Sequence, residues 1–142
     1  TYALPLHLTR AAVAAHIERI YDLAPRSGPC QRVLVDRLWP RGISKASADL
    51  DDWCKDVAPS TELRRWYGHR VERFEEFARL YRQELEVPPA SDALALLRLA
   101  ADSNGVTLVT ATRDVAHSGA RVLEDLLGGT GGVGDGHALR PS

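Results

Sequence analysis

The sequence has little cysteine and no long apolar run, and each shortage excludes a class of protein. Only two cysteines, Cys30 and Cys54, occur among 142 residues. They are too few for a disulfide framework and lack zinc-type spacing, so we expect thiols in a reducing compartment. No run of about 18 apolar residues occurs, and therefore no transmembrane helix and no membrane partner are predicted.

An excess of charge of one sign is also absent. Eighteen lysines and arginines are matched by nineteen aspartates and glutamates, for a formal net charge of -1. A protein that coats nucleic acid nonspecifically carries a basic excess, so the net charge disfavours a nonspecific nucleic-acid-binding protein. It does not exclude a local cluster of basic residues. Residues 1–15 contain no basic segment followed by an unbroken apolar run. No secretory signal is predicted, and we expect a cytoplasmic protein.

Hydrophobic periodicity predicts an α/β domain. Alternation over residues 17–21 indicates a half-buried strand, and apolar runs begin strands at residues 33–35 and 106–110, the former continuing to Leu38 or Trp39. The helical spacing of apolar residues, with capping and stop signals, predicts four helices, at 61–67, 71–85, 92–101 and 115–127. Ser91 is the expected cap of the third of these helices. Residues 8–15 suggest a further short helix, and residues 44–57 fit either a helix or an edge strand.

This order of elements predicts a small, largely parallel sheet flanked by helices, in a three-layer, Rossmann-like arrangement. The length suits one domain, which we place at residues 17–127. Residues 1–16 are interpreted as an N-terminal extension and residues 128–142 as a flexible glycine-rich tail. Glycines in the tail have the dinucleotide-binding spacing, but that motif requires a preceding strand and a following helix, so we interpret them as linker.

Charged residues follow the predicted strand at residues 33–35. Asp36 and Arg37 are adjacent, so their side chains are expected on opposite faces of the sheet. Either each forms a structural ion pair that holds a helix to the sheet, or both belong to a ligand site. Arg41 and Lys45 lie beyond them in a Pro/Gly loop, where they are either solvated or suited to bind carboxylate or phosphate.

A second polar group follows the strand at residues 106–110. Arg113 and Asp114 lead into a predicted helix that carries His117, and the N-terminus of a helix binds anions readily. The alternative is that Asp114 is only a helix cap and that His117 is an exposed residue of the first turn.

A third group lies at the start of the predicted helix 61–67. Ser60 and Thr61 are suited to cap this helix, and Arg64, one turn later, is placed to face the same ligand. His69 follows the end of the helix. No nucleophile elbow, P-loop or paired metal-ligand motif is present.

Two of these stretches carry a family resemblance. Residues 35–42 (VDRLWPRG) and 58–64 (APSTELR) resemble the YeaO-like family, also known as domain of unknown function 488. The resemblance spans residues 17–127 and implies a small bacterial or archaeal α/β protein of three layers with no assigned activity. The chain departs from the family pattern at residues 112–114 (TRD in place of AKD) and 117–119 (HSG in place of HNN), which removes two asparagine amides.

Three functions fit this pattern. The leading hypothesis is a pocket that binds a small anionic ligand, phosphate-bearing or a nucleotide, without a cofactor or metal. The second is an enzyme that acts on nucleotides or nucleic-acid bases, with Asp36, Asp114 and His117 as its acid and base. The third is a nucleic-acid-binding or protein-interaction module, whose helical arginines 64, 65, 70 and 73 are interleaved with glutamates that disfavour it. The sequence gives no oligomeric state. The expected ligand-binding residues are Arg37, Arg41, Lys45, Ser60, Thr61, Arg64, His69 and Arg113.

Overall fold

The computed structural model describes residues 14–26 and 28–128, and its four strands form one parallel sheet. The strands are β1 (Ala15–Arg19), β2 (Gln31–Leu34), β3 (Asp52–Trp53) and β4 (Val106–Thr110). Their order in the sheet is β1-β4-β2-β3, and all three pairings are parallel. The carboxyl ends of the strands therefore share one edge of the sheet.

Four α-helices and four 3-10 turns complete this part of the chain, which confirms the predicted α/β class. The 3-10 turns are Ile20–Asp22, Lys55–Val57, Val71–Arg73 and Val115–His117. No helix among the described residues is both long and apolar enough to cross a membrane. The α-helices are α1 (Thr61–Tyr67), α2 (Phe74–Glu84), α3 (Ala90–Ser103) and α4 (Gly119–Leu126).

The ends of α1 follow local sequence signals. The Ser60 hydroxyl accepts a hydrogen bond from the Leu63 amide at 3.1 Å, which satisfies one of the unpaired donors of the first turn. Gly68 ends the helix in the left-handed conformation, with φ of 53°, which glycine adopts at little cost. The predicted helix at residues 61–67 is therefore confirmed at both ends.

Other element boundaries differ from the prediction. β1 begins at Ala15, two residues earlier than expected, because it pairs in register with the whole of β4. β2 ends at Leu34, well before Leu38, and residues 44–57 supply an edge strand of only two residues. The predicted extension and N-terminal helix lie largely, and the glycine-rich tail almost entirely, outside the described residues.

Two helix starts were also predicted wrongly. α3 begins before its expected cap, because the Ser91 amide already donates to the Val87 carbonyl at 3.0 Å. α4 begins after Ser118, whose hydroxyl accepts from the Arg121 amide at 3.2 Å. Asp114 precedes a 3-10 turn and makes no side-chain cap.

Each face of the sheet has its own core. One face, with Val33 and Leu108, packs against apolar residues from all four helices. The opposite face, with Leu34 and Val109, is covered by irregular segments that carry Trp39, Ile43 and Leu50, and by Trp53 of β3. The helices thus form one outer layer, and mainly irregular segments form the other.

Candidate functional site

A cleft of about 530 Å³ opens at the carboxyl edge of the sheet. Its walls are formed by residues 35–41 after β2, by residues around α1, by residues 111–114 and 119–120 after β4, and by Tyr21 and Phe77. Open α/β sheets bind ligands at this edge. The cleft brings together seven of the predicted site residues, namely Asp36, Arg37, Arg41, Arg64, His69, Arg113 and Asp114.

Asp36 joins the ends of β2 and β4. Its carboxylate accepts hydrogen bonds from the Thr110 hydroxyl at 2.7 Å and from the Ala111 amide at 2.8 Å. The Thr110 oxygen in turn accepts from the Thr112 amide at 3.1 Å. Burial raises the pKa of Asp36 above its ordinary value, although both hydrogen bonds act in the opposite direction.

Arg37 connects the end of β2 to the start of α1. Its Nε donates to the Pro59 carbonyl at 3.0 Å, and its Nη2 donates to the Ala58 carbonyl at 3.1 Å. Neither Arg37 nor Asp36 forms a salt bridge among the described residues. Arg37 therefore holds the helix to the sheet, but through backbone carbonyls instead of an ion pair.

The arginines of the cleft lack carboxylate partners in the part of the chain that the structure describes. Within the described ranges, none of Arg37, Arg41, Arg64 and Arg113 has a carboxylate oxygen within 4.0 Å. The Nε of Arg64 is buried and makes no hydrogen bond. The protein thus leaves the positive charge of the cleft largely unpaired. Of the ten other arginines among the described residues, Arg65, Arg73, Arg82 and Arg98 form no salt bridge, and six do: Arg19, Arg26, Arg32, Arg70, Arg79 and Arg121.

His117 lies beside Asp114 and is partly exposed. Its Nδ1 is 2.9 Å from Oδ2 of Asp114, and its ring packs edge-on against Phe74 at 5.2 Å. Its carbonyl accepts a hydrogen bond from the Tyr67 hydroxyl at 2.6 Å. Asp114 lines the cleft, whereas His117 does not.

Ser60, Thr61 and Lys45 do not line the cleft. Besides capping α1, Ser60 donates its amide at 2.8 Å and its hydroxyl at 2.6 Å to the Glu84 carboxylate. Thr61 is the first residue of α1. The Lys45 ammonium lies 5.7 Å from the ring centre of Trp39, over the second face of the sheet.

The helical arginines of the nucleic-acid hypothesis are divided among different environments. Arg64 lines the cleft, while Arg70 lies 3.5 Å from the Glu72 carboxylate. Arg73 stacks over Trp66 at 5.0 Å. Arg65 is exposed.

Sequence reasoning missed Tyr21, Tyr67 and Gly119, which also line the cleft. Tyr21 follows the end of β1, so the strand-end rule that found Asp36 would have found it too. Tyr67 is buried and stacks on Phe77 at 4.3 Å, a pairing for which the sequence holds no specific signal. A Cβ at Gly119 would lie 3.3 Å from the Pro59 ring, so this position is tight.

No metal centre is evident in residues 14–26 and 28–128. No three or more histidine, cysteine, aspartate or glutamate side chains cluster there as metal ligands. The polar groups of the cleft are mainly guanidinium donors, which suit an anionic ligand.

The chain is similar in sequence to bacterial proteins and matches a family model. Uncharacterized protein Rv3073c of Mycobacterium tuberculosis H37Rv is 54% identical over 122 residues, covering 85% of this chain and 96% of the relative. Uncharacterized protein YeaO of Escherichia coli K12 is 39% identical over 112 residues, covering 78% of this chain and 93% of the relative. No solved structure gives a significant match. The model of the family described as the inactive DUF488-N3 subclade matches residues 14–133, so the chain belongs to the YeaO-like DUF488 family.

Proposed function

We propose that this protein is a binding module that holds a small anionic ligand, phosphate-bearing or a nucleotide, in the arginine cleft. One observation carries the proposal: all four cleft arginines lack carboxylate partners within the described residues, whereas six of the ten described arginines elsewhere have them. An unpaired guanidinium retains a planar set of donors that matches phosphate or carboxylate oxygens.

The arginines differ in how much the fold already uses them. Arg37 donates to two backbone carbonyls, so its removal would loosen the contact with α1. Arg41 and Arg113 are exposed at the cleft and make no side-chain hydrogen bond within the described ranges. Arg64 keeps its Nε buried and unbonded, which costs about 1–3 kcal/mol for a typical buried donor. A bound oxyanion that accepted a hydrogen bond from this nitrogen would remove that cost.

The N-terminus of α4 adds to this attraction. Gly119 and Ala120, its first two residues, line the cleft. The Ser118 hydroxyl accepts a hydrogen bond from the Arg121 amide. It therefore does not accept one from the amides of Gly119 and Ala120. The unpaired amides and the dipole at a helix N-terminus favour an anion. The N-terminus of α4 adds to the attraction that the arginines exert on an anion, but it does not define a binding site by itself.

The residues of the cleft fit a protein that binds its ligand without turnover better than they fit an acid–base enzyme. Both carboxylate oxygens of Asp36 already accept hydrogen bonds. His117 lies outside the cleft lining, so of the three predicted catalytic residues Asp114 has the most direct access. The family description as an inactive subclade points the same way.

The test is calorimetric titration of the protein with inorganic phosphate and adenosine monophosphate. Thermal unfolding with each probe gives a second readout, because a ligand at 100 times its Kd adds about 2.7 kcal/mol to the free energy of unfolding. We expect Arg113→Ala to lose most of the binding. Arg82→Ala is the matched control, because Arg82 is exposed on α2 and does not line the cleft.

The proposal is wrong if Arg113→Ala and Arg82→Ala bind the probes equally well. It is also wrong if the wild-type protein binds neither inorganic phosphate nor adenosine monophosphate. Arg37→Ala is avoided because the contacts of Arg37 with the entry to α1 would mix loss of binding with loss of stability.

A further inference from the structure

Tyr21 lies at the mouth of the cleft with much of its ring exposed. Its side chain lines the cleft, yet the residue is 46% exposed. Its hydroxyl donates to the Arg41 carbonyl at 2.9 Å, and the guanidinium of Arg19 lies 5.2 Å from the ring centre. One face of the ring and its hydroxyl are therefore already engaged by the protein.

Arg19 is itself held in place. Its Nε donates to the Thr112 carbonyl at 3.2 Å, and its Nη1 lies 3.1 Å from the Asp22 carboxylate. Tyr21 is thus braced against the segment that follows β4. Because the ring is ordered before any ligand arrives, a ligand that stacks on it loses less entropy on binding.

Apolar side chains also line the cleft. Leu38 is 61% exposed there, and Trp39 belongs to the same lining. The cleft volume of about 530 Å³ falls within the range of about 300–1,000 Å³ typical of small-molecule sites. A bare oxyanion would leave these apolar side chains without a ligand contact, so the cleft suits a larger ligand.

From this arrangement we infer that the ligand is a nucleotide whose base stacks on Tyr21 while its phosphate is held by the cleft arginines. This inference rests on the proposed function. Several arginines suit a phosphate better than a carboxylate, because a phosphate carries nearly two negative charges and three acceptor oxygens, whereas a carboxylate carries one charge and two oxygens. Every nucleobase offers a planar π-face, and stacking of one base on an aromatic side chain is a general mode of nucleotide recognition.

The experiment compares adenosine monophosphate with ribose 5-phosphate, which carries the phosphate but no base. For the wild-type protein we expect adenosine monophosphate to bind tighter by on the order of 5- to 150-fold, the factor that one base–aromatic stack supplies. Tyr21→Ala should abolish this preference, and its Kd for ribose 5-phosphate should match that of Tyr21→Phe, because both variants lose the hydrogen bond to the Arg41 carbonyl. Tyr21→Phe, which keeps the ring, should retain most of the preference.

Trp66→Ala is the matched control. Trp66 is also an exposed aromatic residue with an arginine over its ring, Arg73 at 5.0 Å, but it does not line the cleft. We expect this variant to bind both probes as the wild type does. Circular dichroism and thermal unfolding of each variant establish that it is folded.

The possible failures are distinguishable. Equal affinity for the two probes, or a preference that survives Tyr21→Ala, overturns the stacking inference. The proposed function then stands if ribose 5-phosphate still binds and Arg113→Ala removes that binding. If neither probe binds the wild-type protein, both the inference and the proposed function are wrong.

Discussion

Asp36 shows how one side chain balances burial against hydrogen bonding. Both of its oxygens accept hydrogen bonds, yet burial is the larger influence and raises the pKa above the ordinary value of 3.8. The folded protein therefore takes up a proton at Asp36 at a pH where the unfolded chain remains ionised. As the pH rises through the folded pKa, this residue lowers the free energy of unfolding.

Replacing Asp36 with asparagine tests this balance. The carboxamide can accept from the Ala111 amide and donate to the Thr110 oxygen, so the variant keeps both contacts without the charge. As the pH falls from about 7 towards 4, the free energy of unfolding of the wild type should rise relative to that of Asp36→Asn. Urea denaturation of both proteins across this range measures the difference. A difference that stays constant with pH would contradict a raised pKa.

The sequence locates Asp36 and Arg37 at a strand end but does not identify their partners. Thr110 lies 74 residues along the chain from Asp36, and Pro59 lies 22 residues from Arg37. Two adjacent charges after an apolar run predict only that each needs a partner. Which groups satisfy them depends on the strand order, which local patterning does not encode.

Among the elements, α1 owes its position to Ser60, which has two roles. The Ser60 hydroxyl caps the helix through the Leu63 amide and also donates to the Glu84 carboxylate of α2 at 2.6 Å. Ser118 caps α4 in the same way, but among the described residues its hydroxyl donates to the Val115 carbonyl and not to a carboxylate. The two serines are therefore a natural pair for comparison.

Ser118→Ala should lower the free energy of unfolding by about 0.5–2 kcal/mol, the usual effect of removing a cap. Ser60→Ala should cost more, because Glu84 also loses a hydroxyl donor, and a hydrogen bond to a charged group is worth about 1.5–3 kcal/mol. Chemical denaturation measures both variants. A double-mutant cycle with Glu84→Gln isolates the second contribution, and equal losses for the two serine variants would contradict it.

Local signals predict elements well only where they coincide with tertiary contacts. Helix α1 has a cap and a glycine stop, and both ends were predicted. The start of α3 was misplaced because a turn at Val87 precedes Ser91. The irregular layer with Trp39, Ile43 and Leu50 has no periodicity, so the sequence could not predict which segments cover the second face.

For the whole molecule, the central feature is an uneven distribution of charge. The chain carries a formal net charge of -1, yet four arginines converge on one cleft without carboxylate partners among the described residues. The composition argues against a surface that is basic throughout, but it does not reveal that arginines cluster in one cleft. The convergence depends on parallel strands that bring the segments after β2 and β4 to one edge.

The most direct test of this account is an NMR titration of the isotopically labelled protein with adenosine monophosphate, followed through the backbone amide signals. We predict saturable shifts concentrated in residues 35–41, 111–114 and 119–120, which line the cleft, with little change in α3, which does not line it. Shifts concentrated in α3, or no saturable shift anywhere, would contradict the claim that this cleft is the binding site.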